Sequence, residues 1–331
     1  MKNYKITLEV LTPVHVGSGS SITKKDYELK GNTVHIYDPL KLHALLGRRY
    51  EDFLMNTYTL TDFLRNNRVD ISKALDYSLL SQGTGIRKSD SLVEFIKDPY
   101  GLPYIPGSSL KGVIRTAILS QLVHENNRYS RYINSPIDRR NGTAIERQAF
   151  GDNTRSIFQQ VKVSDSLPLS TEDLILCKKV DIFRDGNTNN KLNLCRESLK
   201  PGTKVIFNLT LDKSLTRGGD TYTVDFIMES INNFSKQYNK EYQSKFSNFD
   251  NSYHGDNILY LGGGTGFLTK TINQSLYGER TLQRTANFLD RKFRRHNHRK
   301  DLALGVSPRA LKCTIVNNKT VEMGICHIRI D

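Results

Sequence analysis

Tryptophan is absent from this sequence, and only four of its 331 residues are cysteine. Cys177, Cys195, Cys313 and Cys326 are far apart and form no CxxC pair, so neither a disulfide framework nor a zinc site is signalled. They read as small core residues. His296 and His298 stand in a basic run without acidic or thiol neighbours suited to a metal, and no metal is expected there. Unbroken apolar stretches are also missing: nothing approaches the roughly 18 residues of a spanning helix. Met1-Lys2-Asn3-Tyr4 leads into an alternating pattern, not an apolar signal-peptide block, so a cytoplasmic location and no membrane partner are expected. Acidic residues are the other shortfall. Asp and Glu number 34 against 48 Lys and Arg, a formal net charge of +14 whose average field attracts polyanions, nucleic acid first among them.

What is present fits a globular chain of two units. Sixteen Tyr and 14 Phe suffice to fill two modest cores, and 331 residues exceed one typical domain. Tyr4 to Val10 alternates apolar and polar residues with period two and reads as a half-buried strand. Thr12-Pro13 stops it, and Gly17-Ser18-Gly19-Ser20-Ser21 reads as a flexible loop. After a strand near Thr33 to Tyr37, Asp38 to Lys97 reads as an inserted helical region, with Leu40, Leu45, Phe53 and Leu54 at near-helical spacing. Leu110, Val113, Ile114, Ala117, Ile118 and Leu122 share one face of a helix opened by Gly107-Ser108-Ser109.

The polar stretch from Asn126 to Arg155 reads as a mobile loop, and Gln160 to Ser164 as a returning strand. The boundary falls shortly after it, giving units 1–168 and 169–331. The second half holds strands at Leu174 to Leu176, Val180 to Phe183 and Val205 to Leu211, with a loop at Arg184 to Lys191. An amphipathic helix over Asp225 to Phe246 turns Ile227, Ile231, Phe234, Tyr238 and Tyr242 inward. Leu259 to Leu261, the run Gly262-Gly263-Gly264-Thr265-Gly266, a basic helix from about Leu282 and a closing strand to Ile330 complete the chain. Two passes of strands and helices predict an α+β fold.

Four places carry candidate chemistry. Gly107-Ser108-Ser109-Leu110-Lys111-Gly112 combines free N–H groups at a helix start with Lys111 and Arg115 one turn apart, an arrangement suited to phosphate; an ordinary serine cap after a Pro-Gly turn gives the same pattern. The glycine run lacks the Gly-Lys-Ser/Thr ending of a P-loop and the GxGxxG spacing of a dinucleotide site, so no nucleotide cofactor is expected. Arg291, Lys292, Arg294, Arg295, Arg299 and Lys300 form a basic exterior on a helix with an apolar face, through either phosphate contact or solvated charge. His15, at the end of the first strand, has the chemistry of a general base for an RNA 2′-hydroxyl, and Asp26 follows in the next loop, but neither has a visible partner.

Several segments, in order, resemble the RAMP superfamily of CRISPR proteins. They are Thr12-Pro13-Val14-His15-Val16-Gly17-Ser18-Gly19, Pro103 to Gly112, Val163-Ser164-Asp165-Ser166, Leu261 to Gly266 with Thr269-Lys270-Thr271, and Met323-Gly324. Val163 to Ser166 and the overall length bring the resemblance closer to the guide-end capping subunits of type III-A (Csm) complexes, the fifth of the Csm proteins. The resemblance implies two ferredoxin-like (RRM-like) RAMP domains, the helical insertion at about 38–97 lying in the first and the glycine-rich loop in the second.

It also implies a non-catalytic RNA-binding subunit that caps the backbone filament at the guide RNA 3′ end and supports guide maturation and antiviral defence. The implied partners are guide RNA, the repeated backbone subunit and a small helical subunit; recruitment of trimming nucleases is left open. No cofactor or metal is implied. Residues expected at RNA are His15, Gly17, Ser18, Gly19, Ser108, Ser109, Lys111, Arg115, Gly262, Gly263, Gly264, Thr265, Lys270, Arg291, Arg294 and Arg295. In such complexes the backbone subunit cleaves target RNA with an Asp after its first strand; the residues around Asp26 do not match, and that activity is not carried over. The alternative is a metal-independent RAMP endoribonuclease processing CRISPR repeat RNA with His15 as base.

Overall fold

A computed structural model describes residues 1–83, 85–152, 156–189, 192–212 and 222–331. In chain order the elements are β1 (Lys2–Val10), β2 (Gly17–Ile22), β3 (Tyr27–Lys30), β4 (Thr33–Tyr37), α1 (Pro39–Leu46), α2 (Arg48–Met55), α3 (Leu60–Asn67), β5 (Leu75–Gln82) and β6 (Leu92–Phe95). The middle of the chain forms α4 (Gly107–Glu125), α5 (Arg139–Phe150), β7 (Val161–Val163), β8 (Leu174–Lys178), β9 (Val180–Phe183), β10 (Thr188–Asn189), β11 (Cys195–Leu199) and β12 (Lys204–Leu211). The rest comprises α6 (Val224–Glu241), β13 (Ile258–Tyr260), α7 (Asn273–Tyr277), α8 (Thr281–Lys292), α9 (Asp301–Leu304), β14 (Ala310–Val316), β15 (Lys319–Glu322) and β16 (Ile325–Ile330).

Among the described residues these strands make three sheets, ordered β13-β16-β1-β12-β7, β10-β9-β14-β15 and β2-β6-β11-β8-β5-β4-β3. In the first, every neighbouring pair is antiparallel. Without its edge strand β13, the path β1-α4-β7-β12-α6-β16 has the βαββαβ order of a ferredoxin-like unit, with the fourth strand beside the first. This α+β unit uses both ends of the chain: Ile6 lies opposite Phe207 on one side and Ile330 on the other. The boundary expected at residue 168 falls between β7 and β8, and β7 pairs with β12 across it.

Hydrophobic burial locks α4 and α6 onto this sheet. Ile6, Leu8, Val205, Phe207 and Ile328 meet Leu110, Ile114 and Ile118 of α4 and Ile227 and Ile231 of α6 in one core. The period-two and period-3.6 patterns of the sequence converge there. The C-terminal half of α4 is buried beyond its apolar stripe, with Gln121 Oε1 accepting from Asn233 Nδ2 of α6 at 2.9 Å. Tyr238 and Tyr242 join a second core with Tyr260, Leu311 and Ile325. All four cysteines are buried and unpaired.

Four local expectations change. The inserted region is α-helical as far as Asn67; a short 3₁₀ turn at Ser72–Ala74, then β5 and β6, follow. In β5 only Tyr77 and Leu79 turn inward, and exposed Leu75 and Leu80 blur the alternation that marks a strand. Asp38 and Thr59 cap α1 and α3, and Leu42, Phe53, Leu60 and Phe63 give the three helices a core of their own. Gly17 to Ser21 is not a loop but part of β2, an edge strand paired with β6 through its backbone and bulged between Gly17 and Ser21.

Asn126 to Arg155 is mostly structured: a 3₁₀ segment spans Asn127–Tyr132, and α5 is capped by Asp138, whose carboxylate accepts from Asn141 N–H. Only Ile145 and Phe150 of α5 are buried, too sparse a stripe to announce a helix; residues 153–155 of this stretch lie outside the described residues. In the stretch expected as the loop Arg184 to Lys191, Thr188 and Asn189 pair with β9 as β10, while 190–191 lie outside the described residues.

Candidate nucleic acid interface

The segments singled out in the sequence meet at one knot. Gly263 N–H donates to His15 O at 2.6 Å, Gly324 N–H to Pro13 O at 2.9 Å and Leu261 N–H to Gly324 O at 2.8 Å. Gly262 has φ +91°, and a side chain there would collide with the His15 carbonyl. The glycine run is therefore required in the first place by the close approach of two backbones. Thr265 and Thr269 stiffen it, with Thr269 Oγ1 donating to Thr265 O at 3.0 Å.

A second lock holds the start of α4. Gly107 N–H donates to Asp165 Oδ1 at 2.8 Å, and Ser166 Oγ accepts from Ile105 N–H at 2.9 Å. A methyl on Gly107 would run into the carbonyls of Val163 and Ser164. An internal carboxylate thus already takes part of the positive end of this helix.

Between the two locks opens a cleft of about 400 Å³, lined by Gly17, Ser108, Ser109, Gly112, Gly262, Gly263 and Lys270 among others. Lys270 is exposed at its mouth; partial desolvation and Arg196 hold its ammonium below the usual lysine range. Arg196, from β11, directs its guanidinium at Gly264, where an added Cβ would lie 3.5 Å from Nη1. Desolvation likewise holds Arg196 below the usual arginine range. Sequence reasoning missed this residue. The alternation of buried Cys195 and Glu197 marks it as outward-facing, but nothing local shows that it faces the glycine run.

His15 lies behind the cleft wall, 4% exposed, with Nδ1 2.6 Å from the Glu197 carbonyl oxygen. Burial pushes the imidazole down to about 4, so the ring is neutral near pH 7; its Nδ1–H then donates to Glu197 O. The Glu197 carboxylate is itself fixed by Tyr77 Oη at 2.5 Å, Phe95 N–H at 2.8 Å and Lys97 Nζ at 2.8 Å. His15 is thus a wedge between β11 and the glycine run.

Other expected residues lie elsewhere. Lys111 and Arg115 occupy the adjoining strip of α4: Lys111 lies over the Phe158 ring, and Arg115 stacks on Phe150 and Phe158 and pairs with Glu146 at 2.9 Å. Ser18 and Gly19 sit exposed on β2, with Ser18 Oγ donating to Glu94 at 3.1 Å. Asp26 accepts from Thr23 N–H and Oγ1 at 2.8 and 2.7 Å, a turn-forming role away from His15. Arg291, Arg294 and Arg295 are exposed and are not among the residues lining the cleft.

A sequence model of the RAMP superfamily matches residues 7–268. Over all of this chain and 98% of the relative's length, it is 30% identical to a Mycobacterium tuberculosis protein named "CRISPR system Cms protein Csm5". A Streptococcus thermophilus protein of the same name is 28% identical over 82% of this chain and 80% of its own. Among solved structures, one chain of a "Csm-crRNA-target RNA ternary complex in type III-A CRISPR-Cas system" superposes with a TM-score of 0.70 at 22% identity, covering 98% of this chain and all of that one. T. onnurineus Csm5 superposes with a TM-score of 0.63 at 23% identity over 82% of this chain and 94% of its own.

Proposed function

This chain belongs to the RAMP superfamily and, within it, to the Csm5 family, and on that footing we propose that it is a non-catalytic RNA-binding subunit of a type III-A CRISPR (Csm) effector complex. In this proposal it caps the backbone filament at the guide RNA 3′ end and supports guide maturation and antiviral defence. Its partners are guide RNA, the repeated backbone subunit and the small helical subunit. The observation that carries RNA binding is the convergence of Lys270, Ser108 and Ser109 with Gly17, Gly262 and Gly263 on one cleft, with Arg196 beside it near Gly264 and Lys270. Two cations beside small residues suit a phosphodiester, because the backbone can approach while the charge neutralises it. No base-reading side chain is required, so the grip is independent of sequence.

The surroundings of His15 and Asp26 support a non-catalytic role. A base lowered to about 4, shielded from solvent and committed through Nδ1 to a carbonyl, takes little of a 2′-hydroxyl's proton at neutral pH. Asp26 is spent on a turn. The endoribonuclease alternative has no comparable support.

The test is to replace Arg196 and Lys270 together by Ala in a tagged chain, purify the assembly from its native host, and measure particle mass and bound guide RNA. A normal mass with guide RNA lost or shortened at its 3′ end is the expected result. Unchanged guide length and occupancy would remove the cleft from the RNA path, and a chain purifying free of any ribonucleoprotein would overturn the subunit assignment.

A further inference from the structure

A second basic feature lies outside the cleft and includes none of the residues expected above at RNA. Arg131, Arg139, Arg140 and Arg147 line a groove of about 880 Å³ along α5 and the 3₁₀ segment before it. Arg280 and Arg284, at the start of α8, reach the same corner from across the fold: both donate to Asn134 Oδ1, at 3.1 and 3.2 Å.

The local acids, Asp138 and Asp152, offset only part of the charge of the four groove arginines. Asp138 is spent on capping α5, and Glu146 is paired with Arg115 of α4. Among the described residues, Arg147 has a loose ion pair with Asp152, at 3.4 Å, with both side chains exposed. Arg139 and Arg140 are exposed, and no described hydrogen bond or ion pair takes up either guanidinium.

We propose that this groove is a second binding surface for the phosphodiester backbone of single-stranded RNA, separate from the cleft; the inference rests on the reading of the chain as an RNA-binding subunit. Three features favour RNA over an acidic protein segment. Every cation lining the groove is arginine, whose planar fork meets phosphate bidentately. Arg139 and Arg147 are eight residues apart on one helix, about 12 Å at 1.5 Å per residue, a span of several nucleotides at the ~3.4 Å rise of stacked bases. Arg131 also lies over the partly exposed Tyr132 ring, 4.9 Å from its centroid, a cation–π pair of the kind that arginine contributes at single-strand sites.

The experiment compares the full-length chain with Arg139→Gln/Arg140→Gln and, separately, Arg196→Ala/Lys270→Ala. Affinity for a fluorescent 20-nucleotide single-stranded RNA is measured by anisotropy across a salt series, with polyglutamate of matched charge as competitor. Loss of two phosphate contacts is expected to lower the salt slope by about 1.4, at ~0.7 per contact on single strands. The groove variant should show this fall alongside a several-fold loss of affinity, unchanged circular dichroism, and weak competition by polyglutamate. If its affinity and slope match the parent while the cleft variant is weakened, the groove proposal fails and the cleft reading stands. If only the groove variant is weakened, the groove stands and the cleft reading fails. Polyglutamate displacing RNA at equal charge concentration would overturn the groove proposal in favour of an acidic protein partner.

Discussion

The backbone N–H of Gly107 donates to the Asp165 carboxylate at 2.8 Å, tying the first turn of α4 to the segment that follows β7. The two residues are 58 positions apart, yet each explains the other. Glycine is needed because the Val163 and Ser164 carbonyls crowd its Cα, and the carboxylate is stabilised at a helix N-terminus.

Asp165→Ala is therefore expected to cost about 1 kcal/mol, the usual loss for a missing helix cap. Gly107→Ala should cost more, about 2–3 kcal/mol, because backbone rather than a mobile side chain obstructs the methyl. Urea unfolding of the two variants checks both values; an Asp165 variant as stable as the parent would show that water replaces the carboxylate without loss.

His15→Ala should lower stability by about 2–4 kcal/mol, combining a cavity with an unsatisfied Glu197 carbonyl. It should leave any RNA cleavage by the purified chain at background. Because burial lowers the imidazole from 6.5 to about 4, the neutral ring's contribution is complete above pH 6.5 and is lost as pH falls through 4. Urea midpoints at pH 7 and pH 4.5 should therefore differ less in His15→Gln than in the parent. Loss of a genuine RNA-cleaving activity in His15→Ala, with RNA binding retained, would instead revive the enzyme reading.

Glu322 gives the opposite sign at the alkaline end. It is fully buried, accepts from Tyr238 Oη and Gln243 Nε2, and desolvation raises its carboxyl from 4.5 to about 8. A folded-state value above the unfolded one means that its stabilisation is complete below 4.5 and is lost as pH rises through 8. The melting temperature should fall between pH 6.5 and 9, and Glu322→Gln should flatten that fall. An equal fall in the variant would assign it to other groups.

Expressed apart, residues 1–168 and 169–331 are expected to be poorly soluble, because β1 and α4 lie in one fragment while β12, α6 and β16 lie in the other. Co-expression should restore a soluble pair with native circular dichroism. A monomeric, cooperatively unfolding 169–331 fragment would instead support a division into separate domains at residue 168.

Elements whose burial is periodic can be read directly from the amino-acid order. Alternation in β1 and β12 and the apolar faces of α4 and α6 were legible because a strand or helix against a core repeats every 2 or 3.6 residues. The motif residues Gly262, Gly107 and Met323-Gly324 were also visible. Segments held by backbone pairing or by a few anchors were not: β2 is glycine and serine on a sheet edge, and α5 buries only Ile145 and Phe150.

Which of these residues share a site follows from the packing of the folded chain. It brought Arg196 to the glycine run, turned Lys111 and Arg115 toward Phe150 and Phe158, placed His15 behind the cleft wall, and gathered six arginines around the groove at α5. Each outcome depends on packing between elements distant in the chain. Local sequence specifies which face of an element is buried, but the element that covers it is set by pairing between strands distant in the chain, such as β1 with β16.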